Sequence, residues 1–147
     1  TFIYNAWESK STEQRPSNPP VMAPASDFVT DLASMAQYLI AHLQGAKGQS
    51  NILQASSYKA MHSPVINNQS LGWIELERDF ARGKLYYHNG SNGYWYAHMY
   101  IIPGEDIALF AVTNASGDGA KGASGDVAAL ASNEVLVAML TRYGLLP

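Results

Sequence analysis

The chain has 147 residues, a length that suits one domain with its own hydrophobic core. Its net charge of -3 and its lack of a basic block argue against a nucleic-acid partner, and the absence of cysteine excludes disulfides and thiolate metal sites. No apolar run is long enough for a membrane span. Only 14% of the residues are charged, against about 25% in a typical soluble domain, which indicates a surface partly covered by something else.

Residues 1–25 are predicted to form an extended lead segment, and residues 26–147 one α+β domain. Three prolines between positions 16 and 20 fix φ and remove backbone donors, which disfavours a helix. Residues 2–4 suit a short strand. The segment has neither a basic start nor a long apolar stretch, so we expect no signal peptide. Since the chain lacks an initiator Met, we expect its natural start to lie upstream.

A first helix is predicted from an N-cap at Ser26 or Asp27 to about Gln44, with Gly45 as its stop. Its apolar residues recur at the three-and-four spacing of an amphipathic helix. These residues are Phe28, Leu32, Met35, Ala36, Leu39, Ile40 and Leu43.

Two further helices are predicted. A short one covers residues 54–62 and ends before Pro64. The last begins at an N-cap on Asp126, runs to about Tyr143 and is apolar on most sides.

Strand-like runs fill the region between the second and third helices. The first alternates like a half-buried strand, and the last is almost continuously apolar, which indicates burial on both faces. Turn signals lie at 79–83 and 103–106. The pattern predicts an antiparallel sheet of three to four strands packed against N- and C-terminal helices. The runs cover residues 71–77, 84–87, 94–102 and 107–113.

The segment 87–93 gathers polar and flexible residues between two of these strands. It contains two Asn-Gly pairs, which are typical of turns with positive φ. One interpretation is a hairpin turn without chemistry, and this is the commoner meaning of such a pattern.

Another interpretation comes from five short motifs that occur in a fixed order. They lie at residues 24–33, 53–64, 70–73, 88–93 and 111–114, and the fourth has the form His-x-Gly. Together they resemble the C-terminal part of the serine β-lactamase-like hydrolases, which include class C β-lactamases, D-alanyl-D-alanine carboxypeptidases and related esterases. The resemblance covers roughly residues 24–147.

The resemblance implies that the His-x-Gly strand edges a substrate cleft. His88 would face the cleft, Gly90 would allow close backbone approach, and the Ser91 N–H would help to hold the oxyanion. The catalytic candidates are therefore His88, Gly90 and Ser91, and the substrate-binding candidates are Asn89, Asn92 and Tyr94.

In that family the nucleophile comes from a Ser-x-x-Lys motif upstream of the matched region. Two short segments match the family's catalytic motifs by chance, and we call them decoys. The Ser-x-x-Lys decoy at residues 56–59 lies where the family has an ordinary surface helix, so we reject it as the nucleophile. The second is a Tyr-x-Asn decoy at residues 87–89. We reject the second because strand alternation sends Tyr87 and Asn89 to one face and His88 to the other. The chain alone is therefore expected to be inactive.

Three functions remain open. The chain is a fragment of a serine hydrolase that acts on an amide or ester, a non-catalytic module that binds a ligand such as a peptidoglycan stem peptide, or an assembly domain. In the family that this chain resembles, the sheet continues from the strand matching residues 107–113 onto N-terminal strands that this chain lacks. The resemblance therefore implies an exposed apolar edge, which predicts a homo-oligomer. The resemblance implies a bacterial protein, periplasmic or secreted, with no cofactor.

The other histidines are given structural roles. His42 and His62 are expected on helix surfaces or half-buried, and His98 is expected to pack among aromatic residues. A metal site built from His88 and His98 is disfavoured because no carboxylate lies at a suggestive spacing.

Overall fold

The computed structural model describes residues 20–26, 28–91, 96–113 and 124–147, with side chains for all of these except 26 and 124–131. In these ranges helices pack against a four-stranded antiparallel sheet, which confirms the predicted α+β class. The strand expected over residues 2–4 lies outside the described residues. No helix in the described ranges combines the length and the apolar character needed to cross a membrane.

Helices occur at both ends of the described chain and in the turns of the sheet. The α-helices are α1 (Ala23–Ser26), α2 (Leu32–Ala46), α3 (Ala55–His62) and α4 (Ser124–Arg142), and the 3-10 helices are Pro20–Met22, Asp79–Ala81 and Pro103–Glu105.

The strands follow one another across the sheet in the order β1-β2-β3-β4, so each pairs with its neighbours in sequence. Left-handed residues close two of the turns, Arg82 with a φ of 48° and Asp106 with a φ of 56°. Both fall where the sequence predicted a turn. The strands are β1 (Ile74–Arg78), β2 (Gly83–Ser91), β3 (Tyr96–Ile102) and β4 (Ile107–Thr113).

Each face of the sheet carries a hydrophobic core. Strand alternation separates neighbouring residues of β2, so Tyr86 joins one core and Leu85 the other. The core under α2 comprises Leu39, Leu43, Trp73, Tyr86 and Ile101. The core under α4 comprises Ala81, Leu85, Ile102, Leu109, Ala111, Leu136 and Leu140.

The N-cap predicted at Ser26 or Asp27 is wrong. Asp31 caps α2, and its Oδ1 accepts the Ser34 N–H at 2.7 Å. That hydrogen bond also lowers the pKa of the Asp31 carboxyl. The apolar spacing misled the prediction because Phe28 fits the stripe, yet its side chain is 80% exposed.

Gly45 does not stop the first helix as predicted. It lies inside α2, which ends at Ala46, and it is buried. A Cβ at this position would overlap the ring of Tyr58 on α3. The glycine is therefore required for the close approach of the two helices.

The second helix agrees with its prediction, because α3 spans Ala55–His62 and ends before Pro64. The N-cap predicted at Asp126 is wrong, since α4 begins at Ser124. An acidic residue is favourable both at the N-cap and in the first turn of a helix, so the sequence pattern could not distinguish these two positions for Asp126.

Candidate functional site

Within the described part of the chain, the end of β2 is open on one side. β1 pairs with β2 only as far as Tyr87, whereas β3 continues to pair with it as far as Ser91. The edge of His88, Asn89 and Gly90 that faces away from β3 therefore lies beyond the end of β1. All three residues are exposed.

His88 lies on the face of the sheet that carries α2. Its imidazole contacts the rim of the buried Trp73, with ring centroids 6.5 Å apart and nearly perpendicular planes. Its other neighbour on this face is Met99, opposite it on β3. The ring is thus held on one side by packing and open to solvent on the other.

Gly90 has room where a side chain would be. No described atom lies within 4 Å of the position that a Cβ on Gly90 would occupy. The backbone of β2 can therefore be approached closely by another chain or by a ligand.

Asn89 lies on the opposite face, as strand alternation predicted. Its Nδ2 donates to the Tyr96 hydroxyl at 2.8 Å, and the residue opposite it on β3 is His98. Ser91 ends β2 and pairs in register with Tyr96. The predicted candidates are therefore divided between the two faces. Asn92 and Tyr94 lie outside the described residues.

The Ser-x-x-Lys decoy is on the outer side of α3. Ser56 and Lys59 are exposed, whereas Tyr58 between them is buried against α2. The arrangement agrees with the prediction that this helix is an ordinary surface helix.

A pair of buried histidines was missed by the sequence analysis. His42 on α2 and His62 on α3 are 6% and 3% exposed, so the prediction of surface or half-buried positions is wrong. His42 Nδ1 and His62 Nε2 are 3.0 Å apart and share a hydrogen bond. The available signal was the position of His42, which continues the core-facing spacing of Leu39 and Leu43.

Aromatic rings surround the histidine pair. His62 stacks on Tyr86 with centroids 4.5 Å apart, and His42 contacts Tyr58 and Trp73 edge-on or tilted. Burial in this apolar cage lowers the pKa of each imidazole to about 4. Both rings are therefore neutral at pH 7, and one donates to the other.

His98 is the third buried histidine, on the face that carries α4. It is packed edge-on against the rings of Tyr87, Tyr96 and Tyr100, and burial lowers its pKa. Its Nδ1 is buried without a hydrogen-bond partner. Because His88 points to the other face, the two histidines cannot share a metal ion.

The described residues contain no group of three side chains able to hold a metal ion. Comparisons of the chain with protein-family models, with curated proteins and with solved structures find no match. The resemblance to β-lactamase-like hydrolases therefore stays a prediction based on the sequence motifs.

Proposed function

We propose that the chain is the C-terminal part of a serine β-lactamase-like hydrolase, with the end of β2 as one wall of its substrate cleft. The observation that carries this proposal is the open edge of His88, Asn89 and Gly90, which β1 leaves without a neighbouring strand. An extended substrate can add to such an edge through main-chain hydrogen bonds. Gly90 leaves space for it.

The roles of the side chains follow from this geometry and from the resemblance. His88 lines the cleft and is oriented by its contact with Trp73. The Ser91 N–H contributes to holding the oxyanion, a role taken from the family alone. An activated serine with its lysine and tyrosine comes from another part of the protein, because the Ser-x-x-Lys of this chain lies on the exposed side of α3.

The exposed apolar surface supports a larger parent protein. Large apolar side chains on and around α2 and α3 are open to solvent, and contact with another part of a larger protein would bury them. They include Leu32 at 64%, Ile52 at 67%, Val65 at 71% and Leu71 at 63% exposure.

The first test uses the chain by itself with nitrocefin and a nitrophenyl ester. We expect no hydrolysis above that of the Ser56→Ala variant. Turnover that Ser56→Ala abolishes would instead make Ser56 the nucleophile and refute the assignment of the cleft. The genomic sequence before Thr1 is the companion observation, and a Ser-x-x-Lys and a Tyr-x-Asn should occur within about two hundred residues, the span of a domain.

The second test uses the chain joined to that upstream segment. Gly90→Val should lower kcat/KM by about a hundredfold, because the new side chain obstructs a substrate on the edge of β2. Ser57→Val, which places the same side chain on the exposed side of α3, is the control and should leave kcat/KM unchanged. Equal kcat/KM for Gly90→Val and the control would show that the end of β2 is not a wall of the substrate cleft.

A non-catalytic binding module is the alternative at the same edge. It would bind an extended peptide, such as one ending in D-alanine, through the main chain of His88, Asn89 and Gly90. Saturable binding of such a peptide without hydrolysis, by the joined protein as well as the chain alone, would favour the module over the enzyme.

Assembly is supported by a separate observation. β4 is the last strand of the described sheet, and Val112 on it is 54% exposed. An apolar edge strand of this kind invites pairing with a second chain. Light scattering should therefore give a dimer or larger species, and a strictly monomeric mass over a wide concentration range would exclude this assembly.

A further inference from the structure

A second candidate site lies on the face of the sheet away from His88. An open cavity of about 360 Å³ lies between β1–β3 and the helix α4. This volume is within the range of pockets that bind small molecules. The site lies on the opposite face from the imidazole of His88, because strand alternation separates the two faces.

The walls of the cavity are mainly apolar. Leu76 and Leu85 come from the sheet, and Val137, Leu140 and Leu146 come from α4 and the residues after it. Such walls favour a hydrocarbon chain over a polar ligand.

One end of the cavity has an unpaired polar atom. His98 lines the cavity and is 9% exposed, and its Nδ1 has no hydrogen-bond partner and is covered by the surrounding rings. A buried nitrogen in this state loses its hydration without compensation. Burial keeps the imidazole neutral by lowering its pKa, so the ring can accept a hydrogen bond from a hydroxyl.

The other end of the cavity has a cation. Arg78 lines it, is exposed, and takes part in none of the ion pairs found among the described residues. One of its donors, Nη1, goes to the Glu77 carbonyl at 2.8 Å, which leaves further donors of the guanidinium for an anion. None of the described side chains that line the cavity is acidic.

The sheet register places the two polar ends far apart. Arg78 is opposite Gly83 on β2, whereas His98 is opposite Asn89. Six residues of a strand separate these positions, which corresponds to about 20 Å between their backbones at about 3.3 Å per residue. Arg78 and His98 therefore enter the cavity from widely separated backbone positions, one with a charge and the other with a hydrogen-bond acceptor.

We propose that this cavity binds an elongated aliphatic carboxylic acid, with the carboxylate at Arg78 and the distal end of the chain beside His98. A ligand that carries a hydroxyl at its distal end satisfies the Nδ1 of His98 when the imidazole turns this nitrogen toward the cavity. Tyr100, whose hydroxyl donates to Asn133 Oδ1 at 3.3 Å, lines the passage between the two ends.

The test compares three ten-carbon probes on the full chain by calorimetry, with each acid below its critical micelle concentration and the alcohol below its solubility limit. The probes are 10-hydroxydecanoate, decanoate and 1-decanol. 10-Hydroxydecanoate should bind about fivefold more tightly than decanoate, because it adds one hydrogen bond. Decanol should bind about tenfold more weakly than decanoate, because it lacks the charge-assisted contact with Arg78.

Variants assign each preference to its residue. Arg78→Gln should remove the preference for decanoate over decanol, and His98→Phe should remove the preference for 10-hydroxydecanoate over decanoate. Lys59→Gln removes one positive charge from α3, and His88→Phe replaces a histidine on the other face of the sheet. Both are matched controls that should retain both preferences.

A direct readout covers the case in which His98→Phe does not fold. In the ¹⁵N-histidine-labelled chain, 10-hydroxydecanoate should shift the Nδ1 signal of His98, and decanoate should shift it much less. No saturable binding of the acids, equal binding of decanol and decanoate, or an unshifted Nδ1 signal would each overturn the proposal. The nitrocefin and ester assays do not depend on this cavity, so either proposal can fail without the other.

Discussion

The two faces of the sheet bury histidines in different ways. On the α2 face, His42 and His62 satisfy each other through one hydrogen bond. On the α4 face, the Nδ1 of His98 has no partner and lines a cavity. Burial lowers the pKa on both faces, so burial alone does not distinguish a structural histidine from a binding one. The presence or absence of a hydrogen bond does distinguish the two kinds of histidine, because an unpaired buried nitrogen is destabilising unless a ligand or water satisfies it.

Acid should disrupt the α2 face most strongly. The imidazoles of His42 and His62 have a pKa of about 4 in the folded chain, against an ordinary value of 6.5. The unfolded chain therefore takes up protons first, so their contribution to stability is complete above pH 6.5 and is lost as the pH falls through about 4. The loss should be on the order of 5 kcal/mol for the pair, measured by urea unfolding at several pH values.

The double variant His42→Leu/His62→Leu is the control for this acid effect. Because it removes both buried nitrogens, its stability should fall less steeply with acid than that of the unmodified chain. The single variant His62→Leu leaves one nitrogen unpaired and should cost about 2 kcal/mol at neutral pH. Equal acid sensitivity of the double variant and the unmodified chain would assign the effect to other groups.

Tight packing of α2 on α3 contrasts with the cavity under α4. Gly45→Ala should destabilise the fold by about 3 kcal/mol, because the new Cβ overlaps the buried ring of Tyr58. This outweighs the gain of about 1 kcal/mol in helix propensity. Gln44→Ala, at an exposed position of the same helix, is the control and should be nearly neutral by chemical denaturation. Unchanged stability of Gly45→Ala would mean that the two helices can separate at little cost.

The smallest expected effect concerns the start of α2. Asp31→Ala removes the side-chain acceptor of the Ser34 N–H and should lower Tm by about 3 °C. Ser26→Ala tests the cap that the sequence predicted, and it should leave Tm unchanged because Ser26 lies at the end of α1. A larger fall in Tm for Ser26→Ala than for Asp31→Ala would restore the predicted cap.

Local signals placed most of the elements correctly. The turns at Arg82 and Asp106 and the end of α3 before Pro64 follow from residues adjacent in sequence. Helix starts were predicted poorly, because Ser and Asp residues suit both a cap and a first turn. The candidate site was predicted in part, because strand alternation assigned His88 and Asn89 to opposite faces. The sequence did not predict that β1 begins only at Ile74, which leaves the edge of β2 beyond Tyr87 without β1 beside it.

By itself, the sequence determined an α+β chain with an antiparallel sheet and a polar strand end at His88, because periodicity and turn chemistry act over a few residues. Only the tertiary structure decided which histidines are buried and which of them are paired. His42 and His62 are 20 residues apart in sequence, and they meet only because the helices α2 and α3 pack through Gly45. The cavity beside His98 likewise depends on how α4 lies on the sheet, which no local pattern specifies.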